Sequence, residues 1–105
     1  MSAARETITV VATLRAADGK ADALEALLIE QAAVIRKTEP GCVVYRVHRS
    51  TKDPNAFLFY EIYADDAAFD AHRASPHLAA YRKRREHEAL LDGAVDVQVY
   101  RAVTD

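Results

Sequence analysis

From Thr7 to Arg15 apolar side chains fall at every second position, with Ile8, Val10, Ala12 and Leu14 on one side and three threonines on the other. From Lys20 to Lys37 the spacing changes, and Leu24, Leu27, Leu28, Ala32, Val34 and Ile35 recur every three or four residues. A period of two belongs to a strand and a period near 3.6 to a helix, so this switch predicts a strand followed by an amphipathic helix of about five turns. Asp18-Gly19 supplies the turn between them, and Glu39-Pro40-Gly41 ends the helix, because proline disfavours a helical residue before it.

The period of two then returns twice. Cys42 to Arg49 sets Val43, Tyr45 and Val47 against Val44, Arg46 and His48, and Asn55 to Tyr63 sets Phe57, Phe59, Glu61 and Tyr63 against Leu58, Tyr60 and Ile62. Joined by the polar link Ser50 to Pro54, the two runs read as an antiparallel hairpin. Asp65 or Asp66 caps a short helix carrying Ala68, Phe69 and His72, and Ser75-Pro76 starts a second one that holds Leu78, Tyr81, Leu90 and Leu91. A final strand is expected from Ala94 to Ala102. The order β-α-β-β-α-β predicts an α+β fold of the split-βαβ, ferredoxin-like kind, with both helical segments on one face of an antiparallel sheet.

At 105 residues the chain is expected to be a single domain with its core between residues 7 and 102, and a core this small gains from self-association. Both alternating sets of the hairpin strands contain large apolar groups, so the second sheet face is expected to be covered by another copy in a homodimer. With 14 basic against 16 acidic side chains the net charge is −2, which gives no bulk attraction to nucleic acid. A single cysteine, Cys42, excludes an internal disulfide, and a buried apolar role is expected for it. Neither a signal-like apolar N-terminus nor a run of about 20 apolar residues is present, so no membrane association and a cytoplasmic location are expected.

Phosphate loops, metal-binding histidine or cysteine pairs and nucleophile elbows are absent from the sequence, and no cofactor is expected. What remains is a small set of polar residues in apolar patterns. Glu61 shares a strand face with Phe57, Phe59 and Tyr63, and a carboxyl group buried there needs a partner. His72 lies one helical turn from Phe69, which points it at the same sheet face. A Glu61–His72 pair in an apolar cleft can move a proton on a phenol or enol, or it can tie helix to sheet by a hydrogen bond, and both readings stand at this point.

His77 either lines the mouth of that cleft or is exposed in the first turn of its helix. His48 is expected to be solvated or at an interface, and His87 to lie on a solvated face. Tyr45, Tyr60, Tyr63, Tyr81 and Tyr100 carry most of the aromatic surface, suited to packing or to the walls of a site for a planar ligand. The run Arg82-Lys83-Arg84-Arg85, followed by Glu86 and Glu88, reads as a solvated helix face rather than a nucleic-acid patch.

Pro40-Gly41-Cys42 with Tyr45, Phe59-Tyr60-Glu61-Ile62-Tyr63, and Phe69 to His77 together resemble the antibiotic biosynthesis monooxygenase domain family, over residues 7 to 101. Glu61-x-Tyr63 with His72-x-x-Ser75 is similar to that family's E-x-W…H-x-x-S pattern, with Tyr63 in place of the usual tryptophan. The resemblance implies a dimeric α+β barrel that oxidises a quinol or other phenolic or polycyclic aromatic with molecular oxygen, without metal, flavin or haem. It implies a cleft between sheet and helices in which His72 and Glu61 are catalytic and Tyr63, His77, Tyr45, Phe59, Phe69 and Tyr81 contact substrate.

Haem-degrading relatives use an asparagine on the first strand and a helical axial histidine, and neither is matched here. Other relatives act on small phosphorylated signalling sugars, a role in which Arg46, Arg73 or the basic run at 82 to 85 would hold the phosphate. A non-catalytic ligand-binding or stress module is the remaining alternative.

Overall fold

The computed structural model describes residues 3–105, so Met1 and Ser2, part of the stretch read above for a targeting signal, lie outside the described residues. After a short 3₁₀ turn at Ala3–Glu6, the elements are β1 (Ile8–Arg15), α1 (Ala21–Thr38), β2 (Cys42–Arg49), β3 (Ala56–Tyr63), α2 (Asp66–Arg73), α3 (Pro76–His87) and β4 (Asp96–Arg101). The four strands form one antiparallel sheet in the order β2-β3-β1-β4, and the three helices complete a ferredoxin-like α+β fold. This is the fold that the alternation of periods predicts.

Register lines up the helix-facing side chains in rows across the sheet. Tyr45, Glu61, Val10 and Val99 form one row, and Val47, Phe59, Ala12 and Val97 the next. A bulge between Cys42 and Val44 changes the pattern read from the sequence. The extra residue lets Cys42 and Tyr45 both face the helices, and Val43, expected to share the face of Tyr45, is 62% exposed.

Helix α1 packs Leu24, Leu27, Leu28, Ala32 and Ile35 against the sheet. Its end is held by the Glu39 N–H, which donates to the Ile35 carbonyl at 2.9 Å. Gly41 follows, and its missing side chain matters, because a Cβ there would lie 2.6 Å from the Cβ of Ala68 in α2. The close approach seats α2 against the α1–β2 junction, with the Ala64 N–H donating to the Gly41 carbonyl at 2.8 Å.

Asp65 caps α2 through the Ala68 N–H at 2.8 Å. Ser75 caps α3 and also donates its hydroxyl to the His72 carbonyl at 2.7 Å, joining the two helices at one residue.

The C-terminal part departs from expectation in two places. Helix α3 ends at His87, so Leu90 and Leu91 are not helical; Ala89 adopts a left-handed φ of 51° that turns the chain back. Buried Leu90 and the Ala16–Leu91 bridge then anchor the connection to the end of β1, with the Ala17 N–H donating to the Leu90 carbonyl at 2.9 Å. The last strand is shorter than the apolar alternation, Asp96–Arg101 rather than 94 to 102, and all its residues are exposed, because the helical layer does not extend over it. Among the described residues no helix is long and apolar enough to cross a membrane.

Candidate active site

Two concavities compete for attention. The larger, about 550 Å³, lies where β1 and β2 end and β3 and β4 begin, and it gathers Thr13, His48, Arg49, Leu58 and Asp96. Its arginines are matched elsewhere, Arg15 with Asp53 and Arg49 with Asp22 and Glu25, Asp96 accepts from Gln98, and none of its polar side chains is buried.

The smaller, about 150 Å³, sits between the sheet and the α2–α3 pair. Tyr45, Phe59, Glu61, Phe69, His72 and Tyr81 line it, together with Arg73, Arg82, Arg85 and apolar residues of β1 and β4. A concave apolar surface with a few convergent buried polar groups is the usual form of a small-molecule site.

Glu61 comes from the centre of β3, where alternation turns it toward the helices, and it is 5% exposed. Burial penalises its charged form and pushes the carboxyl up to about 7, against the opposing effect of the Tyr63 hydroxyl, which donates to Glu61 Oε1 at 2.5 Å; the nearby Glu39 charge adds to the rise. His72 projects from the last turn of α2 and is also 5% exposed. Burial pulls its pKa below the ordinary histidine range, opposed by Glu39. The imidazole ring packs on Tyr63, with centroids 5.0 Å apart, and on Tyr45 at 6.1 Å.

Glu61 and His72 are brought together, but the hydrogen bond of His72 goes elsewhere. His72 Nε2 lies 3.8 Å from Glu61 Oε1, beyond hydrogen-bond reach, while its Nδ1 is 3.0 Å from both carboxylate oxygens of Glu39. A neutral imidazole beside a carboxylate donates from Nδ1, which leaves the lone pair on Nε2 facing Glu61 and the cleft. Glu39 also takes a hydrogen bond from His77 Nε2.

Of the residues expected at the cleft, Tyr45, Phe59, Phe69, Tyr81, Glu61 and His72 line it. Two do not. Tyr63 is fully buried behind the cleft, where it supports Glu61, and His77 lies on the far side of Glu39, in a groove between α1 and α3.

Three participants were not expected there. Glu39 carries no sequence signal beyond its place at a helix end. Arg82 and Arg85, read as part of a solvated face, line the cleft, and their spacing of three within the basic run was the available clue. Cys42 is half-buried with its thiol pushed up to about 12 by desolvation, which keeps it protonated and unreactive. Among the described residues no three His, Cys, Asp or Glu side chains are arranged to hold a metal ion.

The family model for antibiotic biosynthesis monooxygenases matches residues 7–84. This chain belongs to the antibiotic biosynthesis monooxygenase family. That match covers Glu39, Glu61, His72 and Arg82 and stops short of Arg85 and β4.

Solved structures agree with the family membership in fold. PA3566 of Pseudomonas aeruginosa is 34% identical, with 94% of this chain and 96% of that one covered and a TM-score of 0.81. A Caulobacter crescentus protein provisionally named as an antibiotic biosynthesis monooxygenase is 29% identical over 95% and 92% of the two chains, with a TM-score of 0.85. Rv0793 of Mycobacterium tuberculosis is 29% identical over 94% and 97%, with a TM-score of 0.82. A Synechocystis protein, the uncharacterised sll1783, is 28% identical over 65 residues, 62% of this chain and 43% of that one, so the match spans less than half of that curated relative.

Within this cleft the environments of two titratable groups have been driven apart. The histidine is shifted toward its neutral form and the carboxyl toward its protonated form. The pair can therefore present a base and an acid to one ligand near neutral pH, the pattern by which acid and base roles are assigned.

Proposed function

We propose that this protein is a quinol-type monooxygenase, oxidising a phenolic aromatic with molecular oxygen in the cleft between the sheet and α2–α3. Buried Glu61 and His72, 3.8 Å apart under aromatic walls with the carboxyl shifted toward its protonated form and the imidazole toward its neutral one, carry the reading. A substrate hydroxyl placed about 2.8 Å from both His72 Nε2 and Glu61 Oε1 fits across their separation of 3.8 Å.

His72 takes the phenolic proton, and the electron-rich ring then bonds to dioxygen at the neighbouring carbon. Glu61 gives its proton to the peroxide oxygen. The Glu61 carboxylate then takes the ring C–H proton as the O–O bond breaks to leave a carbonyl, and the departing hydroxide takes the proton held by His72 and leaves as water. The balance closes without a further reductant, because quinol and dioxygen yield a hydroxyquinone and water, the four electrons passing from substrate to oxygen. The buried phenols of Tyr45 and Tyr81, both held well on the protonated side by desolvation, stay neutral as walls.

Oxygen uptake with a panel of quinols tests this reading. Turnover is expected in the wild type, with a loss of about 10²-fold or more in His72→Ala and in Glu61→Gln. Unchanged uptake in both variants would remove the pair from the mechanism, and no uptake with any quinol would leave a ligand-binding module.

The same assay across pH is expected to give a bell for kcat/KM. Its acidic limb rises through the His72 pKa, below the ordinary 6.5, and its alkaline limb falls through about 7, the limb that Glu61→Gln should abolish.

The working unit is proposed to be a homodimer. Tyr60 and Tyr100 leave aromatic surface exposed on the sheet face away from the helices, and Val97 and Val99 leave more on the thinly covered edge strand β4, features a second copy would cover. Light scattering at micromolar concentration should return twice the chain mass, and a monomer mass would remove this part of the reading.

A further inference from the structure

We propose that the aromatic ring accepted by the cleft carries a carboxylate, and that Arg82 and Arg85 of α3 bind it. The proposal rests on the reading of the cleft as a site for an oxidisable aromatic, and it adds the class of substrate.

The arginines of this molecule are mostly spoken for. Arg5, Arg15, Arg49, Arg73, Arg84 and Arg101 each lie against an aspartate or glutamate. Arg36, Arg46, Arg82 and Arg85 have no carboxylate at ion-pair distance among the described residues, and of these four Arg82 and Arg85 line the cleft, where the third arginine, Arg73, is engaged by Asp70.

Arg85 is held in place without being neutralised. Its guanidinium lies 5.1 Å from the centre of the Tyr81 ring, and its Nη1 donates to the Tyr81 hydroxyl at 3.3 Å. Arg82 lines the same cleft as His72 and Tyr81. Two unneutralised guanidinium groups one helical turn apart form a fork suited to a planar carboxylate.

Volume and wall chemistry narrow the ligand further. A cavity of about 150 Å³ holds one six-membered ring, as a void of that size accommodates benzene, and it does not hold a polycycle. With one hydroxyl at His72 and Glu61, such a ring turns a carboxylate meta to that hydroxyl toward the arginines of α3. A small sugar phosphate would offer the arginines an anion too, but its ring hydroxyls would face Phe59, Phe69 and Val97 without partners.

Binding measured by NMR titration under argon separates this proposal from turnover, using hydroquinone and 2,5-dihydroxybenzoate as the probes. The carboxylate compound is expected to bind about tenfold or more tightly than hydroquinone, the size of a charge-assisted hydrogen-bond pair. That advantage should vanish in the Arg82→Gln/Arg85→Gln variant, with retained hydroquinone binding as the check that the cleft is intact, and ribose 5-phosphate should not compete. Equal binding of the two compounds, an advantage that survives the double variant, or displacement by ribose 5-phosphate would each overturn the proposal. In air, uptake with hydroquinone but no carboxylate advantage would remove the arginine site and leave the oxidation. A carboxylate advantage without any uptake would do the reverse.

Discussion

Helix α1 and the α2–α3 pair cover the same face of the same sheet, yet they bury opposite kinds of side chain. Under α1 lie Leu24, Leu28 and Ile35, all without exposure, and the one polar intruder is Gln31, whose amide nitrogen has no hydrogen-bond partner among the described residues. Under α2–α3 lie Glu61, His72 and the hydroxyl of Tyr63, joined from below by Glu39. One half repays the entropy of folding through apolar burial, while the other spends part of that stability on groups that resist charging. The sheet is common to both, so the difference resides in what each helix places against it. Stability and chemistry therefore answer to different substitutions.

The largest expected effect tests the apolar half. Leu28→Ala should cost about 2–5 kcal/mol in denaturant unfolding while leaving the NMR titration of His72 where it was. A shifted His72 titration would show that the two halves are not independent.

Glu61→Gln tests the polar half with the opposite sign. The folded pKa of Glu61, raised to about 7 from 4.5, means that its contribution is fully present below about 4.5 and is lost as pH rises through about 7. The neutral amide removes that loss, so the variant should gain about 1–3 kcal/mol at pH 8 and nothing at pH 4, measured by thermal unfolding at both. A destabilised variant at pH 8 would mean that the ionised carboxylate is well solvated after all.

Glu39→Gln is the smallest of the three and joins the halves, since Glu39 caps α1 and holds His72 of α2. A loss of about 1–2 kcal/mol is expected, with the acidic limb of activity moving to lower pH, because Glu39 opposes the depression of the His72 pKa. An unmoved limb would separate Glu39 from the behaviour of His72.

Most of the fold was legible because its elements announce themselves by period, and the strands and α1 fall within a residue or two of the sequence reading. The bulge at Val43 was not, since Val43 and Val44 are both apolar and alternation reads the same with either facing in. Leu90 and Leu91 extend the apolar spacing of α3, and nothing local marks Ala89 as the residue that leaves the helix. Glu61 was legible as a carboxyl in an apolar row, and His72 by its spacing from Phe69. Glu39 was not, because its tie to His72 spans 33 residues and a glutamate before Pro-Gly looks like any helix terminus. Arg82 and Arg85 were masked by their neighbours, as four consecutive basic residues point around most of a helix and only the tertiary packing selects two.

At the contact between Gly41 and Ala68, two residues along from Glu39, the absence of a methyl group lets the helix that carries His72 lie close against the α1–β2 junction. A lineage of related chains could therefore retune this site by exchanging small residues at those two positions, without altering a single polar side chain. The evolutionary record of such a site would be written partly in alanines and glycines, where a comparison of catalytic residues alone would find nothing changed.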